Sequence, residues 1–277
     1  MVACVVHGDM PTLAEATTPA RTGETFHLEV SPGWRQGRGA FGGLSIAAMI
    51  RAAEARIDDP TRTVRSVTAE LFAPVEVGAA ELPVERLRHG NSLSAVRVAM
   101  IQGAPKAHAV VILAASRSGA SPLAWLDVER PETPSWRELT PSPIGVPGRE
   151  ARWPEFTQHF EYRLVEGLPM TRGEPRTVGW VRPRDPGPAR DAGYVAAMID
   201  AWFPAALVKF PTPRSIATIA FTLELVAGLD GLDPDAPLLY RGVVQVCADG
   251  YFLETRELWG EDGRLVAINH QTFAILD

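Results

Sequence analysis

Asp200 lies in a segment of the chain where a charged side chain is unexpected. Residues 195–203 are otherwise apolar on every side of a candidate helix, as in a helix buried inside a sheet. A buried carboxylate costs several kcal/mol unless it is paired or protonated, and burial raises its pKa. A carboxyl tuned in this way suits general-base activation of a water molecule. The alternative is that Asp200 lies on a narrow exposed stripe of the helix.

Two other polar side chains are candidates to act with Asp200. Gln271 shares a predicted strand face with Phe273, so an amide enters an apolar row. Thr218 lies in another predicted strand and offers a hydroxyl, although β-propensity alone usually explains Thr in a strand. His270 alternates to the opposite face, so we do not expect it to belong to the set.

A glycine-rich segment, residues 37–42, fits the letters of the dinucleotide-binding pattern G-x-G-x-x-G. That pattern requires a buried strand immediately before it, and residues 33–36 are a poor strand end. A flexible entry into a helix at 43–57 explains the glycines better. Amides at a helix N-terminus attract anions and developing oxyanions, which makes Gly42 and Gly43 candidates for such a role.

The chain contains no pattern typical of a metal or redox site. Its six histidines are scattered, and its two cysteines, Cys4 and Cys247, are far apart. We therefore expect no metal and no cofactor. Two thiols without a pairing pattern suit a reducing compartment, so we expect the protein to be cytoplasmic.

The bulk composition excludes several classes of partner. A net charge of −6 and a pI near 5.6 argue against nucleic acid or an anionic membrane as a partner. The first residues lack a basic, apolar leader, and no apolar run approaches the ~18 residues of a membrane span. These features predict an ordinary globular protein that binds neither nucleic acid nor membrane.

The elements that position the candidate residues occur twice. Residues 43–50 align with residues 193–200 at an offset of 150, and the same offset pairs Thr68 with Thr218. An internal repeat of this kind indicates a duplicated structural unit.

The differences between the two copies point to the second copy as the chemical one. Asp200 replaces Ile50 of the first copy, and at a later offset of 160 Gln271 replaces Val111. Copy one thus shows which residues the scaffold requires when it performs no chemistry.

Each copy reads as a short strand, one helix and a run of antiparallel strands, which predicts an α+β fold with two antiparallel sheets, each wrapped around one central helix. In the first helix the charged residues Arg51, Glu54 and Asp58 are expected on the outside. Gly and Pro punctuation divides the chain into a first module (1–118), a Pro-rich connector (119–154) and a second module (155–277). The predicted strands are 25–30, 64–77, 81–88, 92–101 and 107–115 in copy one, and 158–165, 215–226, 238–248, 251–259 and 264–276 in copy two.

The chain resembles the double-hotdog acyl-CoA thioesterases of the thioesterase II type, the TesB-like superfamily. The resemblance spans nearly the whole length and is weakest in the first ~25 residues and the connector. It rests on the segments 41–43, 87–94 with Arg97, Val98 and Gln102, 179–182, the Asp200 helix, 216–219 and 270–271.

The resemblance implies a tandem hotdog fold and a catalytic set formed by Asp200, Thr218 and Gln271, which together orient a water for direct attack on a thioester. We also expect the helix entry at Phe41, Gly42 and Gly43 to bind the acyl-CoA substrate. Family members often carry Asp-His after the 216–219 stretch, whereas this chain has Ala220-Phe221, so the acyl-chain preference stays open.

Three functions remain open at this point. The first is acyl-CoA hydrolysis in fatty acid metabolism without metal or covalent intermediate. The second is a catalytically silent acyl-CoA-binding protein that keeps the fold. The third is a hotdog hydratase, which typically places Asp and His five residues apart, whereas position 205 is Ala here. Further association into a dimer of double modules is also expected from the resemblance.

Overall fold

A computed structural model describes residues 10–117, 124–144 and 153–276, except 186, 189, 227, 230 and 234. Cys4 and part of the predicted connector lie outside these residues. Within the described part, no helix has both the length and the apolar character needed to cross a membrane.

The first half contains one long helix and a set of antiparallel strands, as predicted. The long helix begins at Gly42 because glycine allows close approach there, and it ends at Ile57, where Asp58 adopts the left-handed conformation. The elements are α1 (Leu13–Ala16), β1 (Ala20–Thr22), β2 (Thr25–Val30), β3 (Arg35–Gln36), β4 (Gly39–Ala40), α2 (Gly42–Ile57), β5 (Arg62–Leu71), β6 (Gly78–Leu82), β7 (Val84–His89), β8 (Leu93–Gln102) and β9 (Ala104–Ala115).

The second half repeats this order with two differences from the predicted strands. Its first strand starts only at Phe160, because Glu155–His159 forms a 3-10 helix. The strand at Arg176–Pro183 was not predicted; Gly179 interrupts its apolar pattern because the ring of Trp202 fills the space of a side chain there. The elements are β10 (Phe160–Glu166), β11 (Arg176–Pro183), α3 (Ala192–Asp200), α4 (Ala206–Lys209), β12 (Ser215–Leu225), β13 (Leu238–Ala248), β14 (Tyr251–Trp259) and β15 (Leu265–Leu276).

The two predicted sheets are halves of one continuous sheet. Strand β5 of the first half pairs antiparallel with β12 of the second, with Glu70 opposite Ala220. Along the sheet the strand order is β1-β2-β6-β8-β9-β5-β12-β15-β14-β13-β11-β10, and β7 pairs with β8. The predicted α+β class is confirmed, and the seam adds that the two modules share backbone hydrogen bonds.

The two central helices α2 and α3 cross antiparallel through reciprocal glycine contacts. A Cβ atom on Gly43 would lie 3.0 Å from the Cα of Ala197, and one on Gly193 would lie 3.1 Å from the carbonyl oxygen of Ala47. These four residues are equivalent pairs at the offset of 150. The contact therefore follows the pseudo-twofold symmetry of the repeat and sets the distance between the helices.

We expect Gly193→Ala to lower the free energy of unfolding by about 1–3 kcal/mol, because the added methyl group overpacks the helix crossing. In an uncrowded helix the same change stabilises by about 1 kcal/mol, so the sign of the effect is diagnostic. Urea denaturation of both proteins measures it. An unchanged or larger free energy of unfolding would show that the space between the two helices accommodates the added methyl group.

Arg51 does not lie on the outside of its helix, contrary to the sequence prediction. Its side chain is buried and forms an ion pair at 2.9 Å with Asp191, the N-cap of α3. It also donates a hydrogen bond to the carbonyl oxygen of Ala14. Glu54 is partly buried and Asp58 is exposed. Arg51 thereby ties the N-terminal segment to the start of the second helix.

The connector packs on the sheet through Trp136 rather than through Trp125. Trp136 is 4% exposed, whereas Trp125 is 82% exposed. The guanidinium carbons of Arg163 and Arg182 lie 4.0 and 4.9 Å from the centre of the Trp136 ring. Glu161 forms ion pairs with both arginines, so stacking and charge together hold the connector in place.

Candidate active site

Asp200 is the last residue of α3, and its side chain is 7% exposed between three elements. The Gln271 amide Nε2 in β15 donates to Oδ1 at 2.9 Å. Arg256 Nη1 in β14 donates to the same oxygen at 3.4 Å. The backbone amide of Gly43 in α2 lies near the carboxylate and helps to lower its pKa. The exposed-stripe interpretation of Asp200 is therefore wrong.

The second carboxylate oxygen of Asp200 lies against the N-terminus of the other module's helix. A Cβ atom on Gly42 would be 3.0 Å from Oδ2, so glycine at this position allows the close approach. The partial positive charge of a helix N-terminus favours a carboxylate there. Each module thus contributes one helix end to the same site.

Thr218 reaches the site because of a β-bulge. The pairing of β12 with β15 shifts between Thr218, opposite Phe273, and Ala220, opposite Thr272. The bulge turns the Thr218 side chain inward, and its Oγ1 donates to Gln271 Oε1 at 3.3 Å. Thr68, aligned with Thr218 in the sequence, is exposed. Thr68 is therefore no structural counterpart of Thr218.

The structure thus brings together the three side chains that the sequence analysis proposed as catalytic. Thr218 donates to Gln271, and Gln271 donates to Asp200, in one chain of hydrogen bonds. His270 is exposed on the opposite face of β15, as the sequence analysis expected when it left His270 out of the catalytic set. The Gln271 amide also donates to Asn269 Oδ1 at 2.9 Å, which fixes the orientation of the amide.

Several buried polar residues of the site were missed by the sequence analysis. Glu254 and Arg256 in β14 are bonded to each other at 2.9 Å, and the Tyr240 hydroxyl donates to Glu254 at 3.0 Å. Asn269 lies next to Gln271 on the inner face of β15 and donates to the carbonyl oxygen of Thr222. All four residues are buried.

The first module offers an internal comparison for these residues. Two central ladder pairs on the buried face of the hairpin correspond between the modules. In the first module all four residues are apolar, and in the second all four are polar. The pairs are Val96 with Val111 and Val98 with Ala109 in β8 and β9, against Glu254 with Gln271 and Arg256 with Asn269 in β14 and β15. The fold itself does not require the polar residues.

The buried cluster contains two carboxylates, Asp200 and Glu254, and one guanidinium, Arg256. Burial raises the pKa of the Asp200 carboxyl above its ordinary value; the Arg256 charge, the Gln271 hydrogen bond and the Gly43 amide offset part of this rise. Arg256 lies closer to Glu254 than to Asp200. The positive charge of Arg256 therefore neutralises Glu254 more fully than Asp200. This leaves Asp200 basic enough to accept a proton from water.

The helix entry at Phe41, Gly42 and Gly43, predicted to bind the substrate, lies beside Asp200. The Phe41 side chain is fully buried and stacks on Phe156 with ring centres 4.2 Å apart. The Gly43 amide favours the ionised form of Asp200, so it already acts on the base. The Gly42 amide, at the first position of the helix, is the remaining candidate to donate to an oxyanion.

No group of three or more His, Cys, Asp or Glu side chains that could hold a metal ion occurs in the described ranges. The glycine-rich segment 37–42 forms the turn and second strand of the β3–β4 hairpin and the first residue of α2. It lacks the buried strand that a dinucleotide site needs.

Two models of one family match most of the chain in the expected order. The acyl-CoA thioesterase N-terminal domain matches residues 30–117, and the acyl-CoA thioesterase C-terminal domain matches residues 128–275. No functionally curated protein matches the sequence.

Solved structures with the same fold cover almost the whole chain. A hot dog fold protein of unknown function from Alicyclobacillus acidocaldarius is 24% identical, with a TM-score of 0.83 over 96% of this chain and 98% of that one. A putative thioesterase II from Thermobifida fusca is 22% identical, with a TM-score of 0.79 over 98% and 100%. A TesB protein from Mycobacterium avium subsp. paratuberculosis is 20% identical, with a TM-score of 0.76 over 96% and 98%.

These similarities confirm the tandem hotdog fold and the resemblance on which the sequence analysis relied. With both domains present in order, the chain belongs to the acyl-CoA thioesterase family of thioester hydrolases.

Proposed function

We propose that this protein hydrolyses an acyl-CoA thioester by direct attack of a water molecule that Asp200 activates. The observation that carries the proposal is the buried hydrogen-bond chain Thr218–Gln271–Asp200, in the place where the first module has only apolar side chains. A carboxylate with a raised pKa, fixed by an amide and a helix N-terminus, has the properties of a general base.

In the proposed reaction, Asp200 accepts a proton as the water oxygen forms a bond to the thioester carbonyl carbon. The carbonyl oxygen becomes an oxyanion, for which the Gly42 amide at the start of α2 is our proposed donor. Collapse of this intermediate breaks the carbon–sulfur bond, and the departing thiolate takes the proton from Asp200. The products are free CoA thiol and a carboxylic acid, and Asp200 is again ionised.

Gln271 and Thr218 act by fixing geometry in this scheme. The Gln271 amide donates to Asp200 and accepts from Thr218, so the base and the hydroxyl keep a constant separation. A water held between the Thr218 hydroxyl and the Asp200 carboxylate would be positioned for attack. We propose that the backbone around Phe41, Gly42 and Gly43 contacts the substrate next to the reacting carbonyl.

The proposal is tested by thiol release from a panel of acyl-CoAs of different chain length, branching and aromaticity. We expect release from at least one chain class with a defined length preference. Binding of acyl-CoA, measured by calorimetry, without release from any member would instead favour the silent acyl-CoA-binding alternative. Hydration of an enoyl-CoA without thiol release would favour the hydratase.

The proposal also covers the location of the protein, its division into modules and its association with a second copy. We place the protein in the cytoplasm, because the exposed Cys247 is a free thiol that suits a reducing compartment. We place its reaction in fatty acid metabolism, in line with the acyl-CoA thioesterase domains of the chain. We propose residues 1–118 and 155–277 as its modules, joined by 119–154. We also propose that two copies associate into a dimer of double hotdogs, which light scattering with size exclusion tests.

A further inference from the structure

Strand β14 carries a fully buried ion pair that the reaction scheme does not use. Glu254 and Arg256 point to the same inner face, with side chains 0% and 1% exposed, and Arg256 Nε lies 2.9 Å from Glu254 Oε1. Replacing a buried ion pair by apolar residues is often neutral or stabilising. The first module does this at the matching ladder positions with Val96 and Val98. Stability alone therefore does not explain the pair.

The pair holds the chain on both sides of Asp200. Arg256 Nη1 donates to the carbonyl oxygen of Ile199 at 3.2 Å and to Asp200 Oδ1 at 3.4 Å. Glu254 Oε2 accepts from the backbone amide of Ala205 at 2.8 Å. The last turn of α3 and the loop after it are thereby attached to one point of the sheet. The loop after Asp200 therefore cannot shift without breaking the buried hydrogen bond from the Ala205 amide to the Glu254 carboxylate.

We propose that Glu254 and Arg256 are a positioning pair that sets the charge state and the orientation of Asp200. The inference rests on the proposed role of Asp200 as general base. Arg256 favours the ionised carboxylate, and Glu254 limits that effect by neutralising Arg256. Together they keep Asp200 ionised despite burial and yet basic enough to accept a proton from water.

The groups that face Asp200 are few in the described part of the chain, so the charge effects can be separated. Strand β14 presents Arg256 and Glu254, and β13 presents the Tyr240 hydroxyl, which donates to Glu254. Among the described residues, the other elements around Asp200 contribute neutral groups. These are the Gly43 amide from α2, Thr218 from β12, and Gln271 and Asn269 from β15.

The test measures the pH dependence of kcat/KM, whose acidic limb reports the ionisation of the base in the free enzyme. Glu254→Gln keeps the shape and removes the charge that neutralises Arg256, so we expect the acidic limb to move down by about one pH unit. Arg256→Gln removes the positive charge beside Asp200, so we expect the limb to move up by about one pH unit. A structural role alone would lower activity at every pH without opposite shifts.

Glu257→Gln is the matched control. Glu257 lies on the same strand and forms an ion pair at 2.6 Å with Arg241, away from Asp200, so this variant is expected to keep the wild-type limb. If the Arg256→Gln variant fails to fold, the acidic limb of the Glu254→Gln variant alone tests the inference. An acidic limb of kcat/KM that stays at the wild-type pH in every folded variant would overturn the inference. Hydrolysis that survives Asp200→Asn overturns the proposed function instead, so the two failures are distinguishable.

Discussion

Replacing Asp200 with Asn is expected to reduce kcat/KM for acyl-CoA hydrolysis by about 1,000-fold, within the range that general-base catalysis supplies. Asn has the shape of Asp but accepts no proton from water at neutral pH. It still accepts a hydrogen bond from Gln271, so the surrounding hydrogen bonds can persist. Thiol release from the preferred acyl-CoA, with wild type and variant side by side, measures the effect.

The same variant is expected to unfold at a temperature no lower than the wild type. Burial raises the pKa of the Asp200 carboxyl in the folded protein. Such a carboxyl lowers the free energy of unfolding as the pH rises from its pKa in the unfolded chain to its pKa in the folded protein. Neutral Asn at position 200 removes that contribution and leaves Arg256 paired with Glu254. Lost activity with retained stability identifies a chemical role. Wild-type rates of thiol release in the variant would rule out Asp200 as the base.

Replacing Gln271 with Val, the residue of the first module at position 111, is expected to reduce kcat by about 100-fold. Val removes the donor to Asp200 and the acceptor for Thr218 at once. Loss of a hydrogen bond to the ionised carboxylate raises the pKa of Asp200 further. The acidic limb of the pH–rate profile is therefore expected to move to higher pH as the rate falls.

His270→Ala is the matched control for the Gln271 variant, because His270 is the preceding residue on the exposed face of β15. We expect it to keep the wild-type rate and pH profile. Circular dichroism and urea denaturation of both variants separate a loss of fold from a loss of chemistry. Equal rates for Gln271→Val and the wild type would remove Gln271 from the mechanism.

Comparison of the two modules made part of the site predictable from sequence. Asp200 and Gln271 replace Ile50 and Val111 of the first copy, so both were predictable without a structure, although Gln271 shares the inner face of β15 with the polar Asn269. Arg256 was not, because β14 carries charged residues on both faces, and strand alternation cannot tell which face is buried. The match of Glu254 and Arg256 with Val96 and Val98 requires an offset of 158, which the ladder registers of the two hairpins give and the offset of 160 used for Gln271 does not.

Thr218 and the seam of the sheet show two limits of sequence patterns. Strict alternation places Thr218 on the outer face, and only the bulge before Ala220 turns it inward. The pairing of β5 with β12 is a non-local contact, with Thr68 opposite Thr222 on an outer face that has no apolar pattern. Strands β5 and β12 were each predictable from the sequence, but their pairing into one sheet was not.

The central claim is that water attacks the thioester directly with Asp200 as its base. A single turnover in H₂¹⁸O, with enzyme in excess over acyl-CoA and mass analysis of the released acid, tests it most directly. Direct attack predicts that the acid carries one solvent oxygen in the first turnover. Unlabelled acid would mean that a carboxylate of the protein supplied the oxygen through a covalent intermediate, which would contradict the account.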